Sequence, residues 1–202
     1  MLHKFALGCI ALIAATSAAE ARQVSDPSAR FSMTVPDDWT QVQIPDPIVA
    51  YAAWKNSQSP MNGFCVAVIV DVPETRSKSQ SEIDEMLTNE LTEAVWRAAY
   101  ESKGLGVVVH ESGRRDANGR KVHFAFTTAT VPQQGGAGIK VKGREELHAL
   151  PGSSHSVTCM ALEANYDAVA EELKGVLHSY VPNAGLVAQL PGAAKAGVSM
   201  YA

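Results

Sequence analysis

Two histidines, His148 and His155, have the spacing in this sequence that best suits metal or proton chemistry. They flank Pro151-Gly152, and a two-residue hairpin loop at that pair would place the imidazoles opposite each other on neighbouring strands. Two neutral imidazoles with a third ligand bind copper or zinc, and without a metal they form a pH-sensitive pair. The alternative is a solvated cross-strand pair near a hairpin end. Cys159 lies about 13 Å along the strand from His155, too far to share a metal.

The sequence contains no recognised catalytic motif. It has no nucleophile elbow, Walker loop, HExxH pair or Cys-x-x-Cys. Ser154 and His155 with Asp116 supply the residue types of a hydrolytic triad, but isolated residues of these types occur in any chain of this size. We therefore expect a protein that is not an enzyme and has no cofactor, with a hydrolase of unknown substrate as an alternative.

Residues 1–21 predict a secretory signal peptide. A short polar start precedes an apolar run from Phe5 to Ala15, and Ala19-Glu20-Ala21 fits the small-x-small pattern before a cleavage site. Cleavage after Ala19 is the nearby second choice. The apolar run is too short to span a bilayer, so we expect no transmembrane anchor after removal of the signal. The sequence therefore predicts a periplasmic or secreted protein.

Export changes the interpretation of the cysteines. Cys9 is removed with the signal, which leaves Cys65 and Cys159, each within a strand-like apolar run. If those strands are neighbours, a disulfide between the two cysteines could form in an oxidising compartment. The alternative is two separate buried thiols that pack as small hydrophobic side chains.

Cationic residues concentrate in the middle of a chain whose formal net charge is −4. That net charge gives no reason to expect nucleic acid as the partner. A local cationic patch could still bind an acidic protein or an anionic envelope component, and the alternative is the ordinary solvated face of antiparallel strands. The patch comprises Arg114, Arg115, Arg120, Lys121, Lys140, Lys142 and Arg144.

Hydrophobic periodicity places the elements that would position these residues. A flexible lead-in is predicted at residues 22–29, one folded domain at 30–182 and a disordered tail at 183–202. Within the domain we expect several strands, one long helix over Ser79–Ser102, an antiparallel meander, and a closing helix from Tyr166 with Asn165 as its N-cap. This order predicts an α+β fold, with an antiparallel sheet covered by helices on both faces.

Several short sequence segments resemble the PsbP-like superfamily, and within it the DcrB-type branch of bacterial periplasmic proteins. They are the opening strand and turn at 31–39, Gly119-Arg120-Lys121-Val122, the strand at 156–161 and Leu177-His178-Ser179-Tyr180. The likeness spans residues 30–180. It implies an α/β/α sandwich and a mostly non-catalytic protein that binds other proteins or assists their assembly. Another envelope protein or complex is then the expected partner.

Overall fold

The computed structural model of the protein describes residues 20–55, 62–133 and 136–183. Its helices are α1 (Gln80–Glu90), α2 (Glu93–Glu101) and α3 (Tyr166–Ser179). Its strands are β1 (Ala21–Ser25), β2 (Phe31–Pro36), β3 (Thr40–Gln41), β4 (Val49–Trp54), β5 (Phe64–Val72), β6 (Gly106–Ala117), β7 (Arg120–Gln133), β8 (Gly136–Leu150), β9 (Gly152–Leu162) and β10 (Val181–Pro182).

A large antiparallel sheet dominates the fold. Its seven strands lie in the order β3-β4-β5-β9-β8-β7-β6, and a smaller sheet has the order β1-β2-β10. Every strand pair in both sheets is antiparallel. The predicted α+β class with a large antiparallel sheet is therefore confirmed.

The predicted hairpin between β8 and β9 forms with the expected two-residue loop. Leu150 pairs with Ser153, which leaves Pro151 and Gly152 as the loop. Gly152 adopts φ +85°, and a Cβ there would lie 2.9 Å from Cγ of Arg76. Glycine is therefore required at this loop both by the backbone angle and by the close approach of Arg76.

The main core lies between α3, β2 and the centre of the large sheet. Val169, Leu173, Val176 and Leu177 of α3 are buried against apolar residues of β2, β5 and β9. These side chains recur every three or four residues, so they form one stripe along the helix. The Trp39 indole N–H donates to the Glu172 carboxylate, which fixes the edge of this core.

A second core cluster involves α2. Trp96 and Tyr100 of this helix pack against Ala125 and Ala129 of β7, with Val141 and Leu147 of β8 beside them. The Tyr100 hydroxyl also donates to the Glu145 carboxylate across 3.0 Å. The large sheet therefore carries one core cluster with α3 and another with α2.

The prediction of a flexible lead-in at residues 22–29 is wrong for residues 22–25. Residues 21–25 form β1, which pairs with β2 from Ala21–Pro36 to Ser25–Ser32. The Arg22 guanidinium donates to the carbonyl oxygens of Asp37 and Trp39 at 2.9 and 2.6 Å. Asp37 and Trp39 are distant from Arg22 in the sequence, so the hydrophobic pattern around residue 22 could not indicate these contacts.

The single helix predicted over Ser79–Ser102 is two helices. The first begins as predicted, because Ser79 and Glu82 form a capping box. It ends at Glu90, with Leu91 as its C-cap. Thr92 then adopts extended backbone angles, φ −92° and ψ 170°, and its hydroxyl accepts from the Val95 N–H. Threonine favours such an N-cap, so a second helix starts where the apolar stripe alone suggests continuation.

The predicted side-chain cap of α3 is also wrong. Asn165 occupies the N-cap position without a capping bond, and its side-chain amide donates instead to Oδ1 of Asn62 at 2.9 Å. A short 3₁₀ turn, Glu163–Asn165, leads into the helix. The chain therefore enters α3 through this turn, without side-chain capping by Asn165.

Two sequence predictions fall largely outside the described residues. They are the signal peptide at 1–21, of which 1–19 are not described, and the tail at 183–202, of which 184–202 are not described. Within the described ranges, no helix combines the length and apolar character needed to cross a bilayer.

Candidate functional site

His148 and His155 face each other across the hairpin, as the sequence predicts. They are paired residues of β8 and β9, and they are only 4% and 2% exposed. The alternative of a solvated pair is therefore wrong. Tyr180, the residue after α3, covers them, with its ring centroid 5.1 Å from that of His148 and 6.1 Å from that of His155.

Both ring nitrogens of His155 are already hydrogen-bonded. Nδ1 lies 2.8 Å from the Tyr180 hydroxyl, and Nε2 lies 3.2 Å from Oγ of Ser153. Burial raises the pKa of Tyr180, so its hydroxyl keeps its proton and can donate it to Nδ1. His155 then carries its proton on Nε2 and donates it to Ser153. This arrangement holds the imidazole neutral and fixed.

Burial determines the charge state of the histidine pair. It lowers the pKa of His148 to about 4, and it lowers the pKa of His155 to about 3, with a smaller effect from neighbouring His148. A buried imidazole loses the hydration that stabilises its cation, so the neutral form is favoured. Both histidines are therefore neutral at physiological pH.

Acid should weaken the fold through these histidines. An unfolded histidine binds a proton near pH 6.5, whereas folded His148 and His155 remain neutral until about pH 4 and 3. Between these values the unfolded state binds more protons, so stability falls as the pH falls, by at most about 1.4 kcal/mol per pH unit for each histidine. Urea unfolding from pH 7 to 5 measures this slope.

The variant His148→Gln should reduce the slope of the free energy of unfolding against pH by the contribution of one histidine. His123 and His178, whose pKa values are also lowered by burial, keep the remaining slope above zero. His110→Gln, at an exposed position, is the matched control. An unchanged slope in His148→Gln would show that His148 titrates alike in both states.

Glu146 is a buried carboxylate that the sequence reasoning missed. It lies two residues before His148 on the same side of β8, and it is 0% exposed. The Arg115 guanidinium donates to both of its oxygens, at 3.0 and 2.6 Å. Arg144 Nε lies 3.3 Å from Oε1 but lacks hydrogen-bond geometry. The alternation Arg144, Glu146, His148 along one strand face was the signal available in the sequence.

Two imidazoles complete the surroundings of this carboxylate. Nε2 of His178 lies 3.6 Å from Oε1 of Glu146, and Nε2 of His148 lies 3.9 Å from Oε2. The His148 nitrogen has no hydrogen-bond partner among the residues that the structure describes. We call Arg115, Arg144, Glu146, His148 and His178 the Glu146 cluster. Its ionisable groups converge, but around a carboxylate sealed from solvent.

The structure does not assemble the hydrolytic triad considered from the sequence. His155 bonds to Ser153, whereas neighbouring Ser154 points to the opposite face of β9 by strand alternation. Asp116 lies on β6, where its carboxylate accepts from Lys121 Nζ at 2.6 Å. The Ser154–His155–Asp116 combination is therefore wrong.

The metal role of His148 and His155 stays a prediction. In residues 20–55, 62–133 and 136–183, no group of three or more His, Cys, Asp or Glu side chains is placed to hold a metal. Binding through His155 would also break its bond to Tyr180 or to Ser153. Retention of copper or zinc by the protein, and its loss in His148→Ala, would test the role.

Cys65 and Cys159 form a disulfide. They are directly paired residues of neighbouring strands β5 and β9, with their Cα atoms 4.1 Å apart. That distance is within reach of the bridge, and both residues are buried beside α3. The alternative of two separate thiols is excluded.

Six of the seven predicted patch cations have partners of their own within the protein. Arg115 and Arg144 face Glu146, and the Arg120 guanidinium donates to the Pro182 carbonyl oxygen at 3.1 Å. The three lysines each contact their own acid, which are the pairs Lys121–Asp116, Lys140–Glu163 and Lys142–Asp167. Arg114 is exposed on β6. A single cationic surface for an acidic partner therefore stays a prediction.

Aromatic side chains instead form a partly exposed row across β6, β7 and the start of α3. The Phe126 ring centroid lies 5.4 Å from that of His110 and 5.5 Å from that of Tyr166. Lys142 Nζ lies 5.5 Å from the Phe126 centroid and 5.0 Å from the Tyr166 centroid. Val108 is 55% exposed and lies at the border of this row. It pairs with Thr128 of β7, and the Thr128 hydroxyl is hydrogen-bonded to His110.

This architecture is a PsbP-like fold. The solution structure of cyanobacterial PsbP, CyanoP, from Synechocystis sp. PCC 6803 matches 84% of this chain and 96% of its own, with a TM-score of 0.55 and 14% sequence identity. The predicted resemblance to PsbP-like proteins is therefore confirmed at the level of the fold. No family model and no curated protein matches the sequence.

Two further solved structures are similar at lower scores. Mog1p, a Ran-binding protein of Saccharomyces cerevisiae, has a TM-score of 0.48 at 10% identity and covers 81% of this chain and 95% of its own. LpqN, involved in cell envelope biogenesis of Mycobacterium tuberculosis, has a TM-score of 0.49 at 12% identity over 80% and 90% of the two chains.

Proposed function

We propose that this protein is an exported binding or assembly module of the bacterial envelope, which acts through protein–protein contacts without a chemical step. The observation that carries this proposal is a partly exposed surface made of Val108, His110, Phe126, Lys142 and Tyr166, which we call the meander surface. Aromatic residues held rigidly beside apolar neighbours are typical of the energetic centres of protein interfaces.

The Glu146 cluster supports a role without catalysis. Its carboxylate is fully buried and bound by Arg115 on both oxygens, so this carboxylate is not free to meet a substrate. His155, the other converging imidazole, is hydrogen-bonded at both nitrogens. A catalytic acid or base must reach the proton that it transfers, and these groups reach only one another.

Export is supported by two independent features. The start of the sequence has the organisation of a secretory signal, and the Cys65–Cys159 disulfide is of a kind that persists in oxidising compartments. Cell fractionation of the producing bacterium with N-terminal sequencing tests this part. A cytoplasmic protein with its leader intact would overturn it.

The position of the helices supports the choice of surface. Glu145 contacts Tyr100 of α2, whereas the next residue, Glu146, contacts His178 of α3. Successive strand residues point to opposite faces, so we infer that helices lie on both faces of the large sheet. The meander surface lies beside α3 and includes its first residue, Tyr166. A partner seated there would contact the strands and the start of α3 together.

Two substitutions on the meander surface should weaken partner binding. Val108→Asp removes the most exposed apolar side chain of the proposed contact, and Tyr166→Ala removes a ring of the aromatic row. Truncation at an interface centre typically costs about 2–4 kcal/mol, so we expect at least a tenfold loss of affinity. Ile44→Asp, which changes an apolar residue 40% exposed elsewhere, is the matched control.

The partner is first identified by photo-crosslinking in cells, with the crosslinking residue at position 108 and, as control, at position 44. Affinity is then measured by calorimetry with the purified partner and each variant. Crosslinks confined to position 108 with weaker binding of both variants support the proposal. Equal affinity of Val108→Asp and the parent protein would place the interface elsewhere.

A further inference from the structure

A cavity of about 360 Å³ lies between α1 and the sheet, apart from both the Glu146 cluster and the meander surface. Its apolar walls are Ile83, Met86 and Leu87 of α1, with Val70, Leu147 and Leu150 of the strands opposite. The volume falls in the range of small-ligand pockets, roughly 300–1,000 Å³, and such pockets are mostly apolar. We call it the α1 cavity.

Hydrogen bonds at its first half hold α1 over this cavity. Neither core cluster of the described residues includes Ile83 or Leu87, although both are buried. Polar bonds hold the first half of the helix: Gln80 donates to the Ala149 carbonyl oxygen at 2.9 Å, and the Lys121 N–H donates to Asp84 at 3.3 Å. These bonds fix α1 over the sheet, and its apolar side chains Ile83, Met86 and Leu87 border the cavity.

The charges around the cavity favour a cationic ligand. Three lining carboxylates, Asp71, Glu74 and Glu90, face one lining cation, Lys78. Asp71 is also paired with Arg76 at 2.8 Å. Three negative charges against two positive ones leave an excess of one negative charge. The apolar walls favour a ligand with an apolar chain, and the acidic rim favours a cationic head group on that ligand.

We propose that the α1 cavity binds the alkyl chain of a small amphiphile whose head group is a protonated amine. The chain would contact Met86, Leu87 and Leu147, and the ammonium would lie between Glu74 and Glu90. This site is additional to the protein-binding role, because no residue that lines the cavity belongs to the meander surface.

Calorimetry with three ligands of equal chain length tests the site on the purified protein. Decylamine should bind at one saturable site with a negative heat-capacity change, the mark of apolar burial. Decanoate should bind about tenfold more weakly, because the excess negative charge that attracts an ammonium group repels a carboxylate. Decanol should fall between them.

Two variants separate the walls from the rim. Met86→Trp fills the cavity and should abolish decylamine binding, while Ile44→Trp introduces the same ring at an exposed site and should leave it unchanged. Glu90→Lys, at an exposed rim position, changes the excess from one negative to one positive charge, so decanoate should then bind more tightly than decylamine.

Absence of heat with all three ligands would overturn the proposal, as would binding that persists in Met86→Trp or a preference for decanoate in the parent protein. The Glu90→Lys result keeps the test decisive if Met86→Trp fails to fold. Partner binding at the meander surface should be unaffected by Glu90→Lys, so failure of one proposal is distinguishable from failure of the other.

Discussion

Replacing Glu146 with alanine is expected to lower the free energy of unfolding by about 3–5 kcal/mol, one of the two largest effects of any change considered for this protein. The carboxylate is fully buried, and Arg115 and Arg144 are themselves mostly covered. Removing the single anion leaves two poorly solvated guanidinium groups without compensation. Urea unfolding followed by tryptophan fluorescence measures the loss.

Matched variants distinguish charge from packing at Glu146. Glu146→Gln keeps the shape and some hydrogen bonding, so its loss should be smaller than that of alanine. Asp116→Ala breaks the exposed contact with Lys121 and should cost less than about 1 kcal/mol. The double variant Glu146→Leu with Arg115→Met should recover part of the stability, because a buried ion pair can be replaced by apolar side chains.

The role assigned to Glu146 predicts a specific order of stabilities. Glu146→Ala should be the least stable, Glu146→Gln intermediate, and Asp116→Ala near the parent protein. If Glu146→Ala unfolds at the same urea concentration as Asp116→Ala, the cluster contributes no more than a surface ion pair.

Replacing both Cys65 and Cys159 with alanine should cost about 4–5 kcal/mol on the chain-entropy model. The bridge joins residues separated by 94 positions, so it restricts a large part of the unfolded chain. Removal of the two sulfur atoms would also leave space in the core beside α3. Urea unfolding of parent and double variant, each with and without dithiothreitol, measures the effect.

The reductant provides the internal control for the disulfide. Dithiothreitol should move the parent protein toward the stability of the double variant and leave the double variant unchanged. A parent protein whose unfolding midpoint ignores reductant, while free-thiol labelling shows two thiols in the unfolded state, would mean that the bridge is not formed in solution.

Local sequence signals succeeded where one short segment contains all the interacting residues. Pro151-Gly152 determines the hairpin loop, and the loop determines that His148 pairs with His155. Ser79 and Glu82 determine the start of α1 by the same logic, since both partners of the capping box lie within one turn. These features needed no knowledge of the rest of the fold.

The same local reasoning failed at boundaries where distant partners compete with the pattern. The segment at residues 21–25 became a strand because β2 supplies its hydrogen bonds and Arg22 reaches Trp39. The helix stripe after Ser79 continues through Leu91 in apolar character, but the hydroxyl of Thr92 caps a new helix there. In both cases a specific contact determines where the element lies, and the hydrophobic periodicity does not indicate that contact.

The sequence by itself determined the α+β class, the hairpin that pairs His148 with His155, and the two cysteines available for a bridge, because strand alternation and turn chemistry act over a few residues. Tertiary structure alone decided that Cys65 faces Cys159, that Tyr180 covers His155, and that Arg115 reaches Glu146. These partners are 94, 25 and 31 residues apart. Only the register of the assembled sheet and the docking of α3 bring them together, so their burial and charge depend on the folded chain.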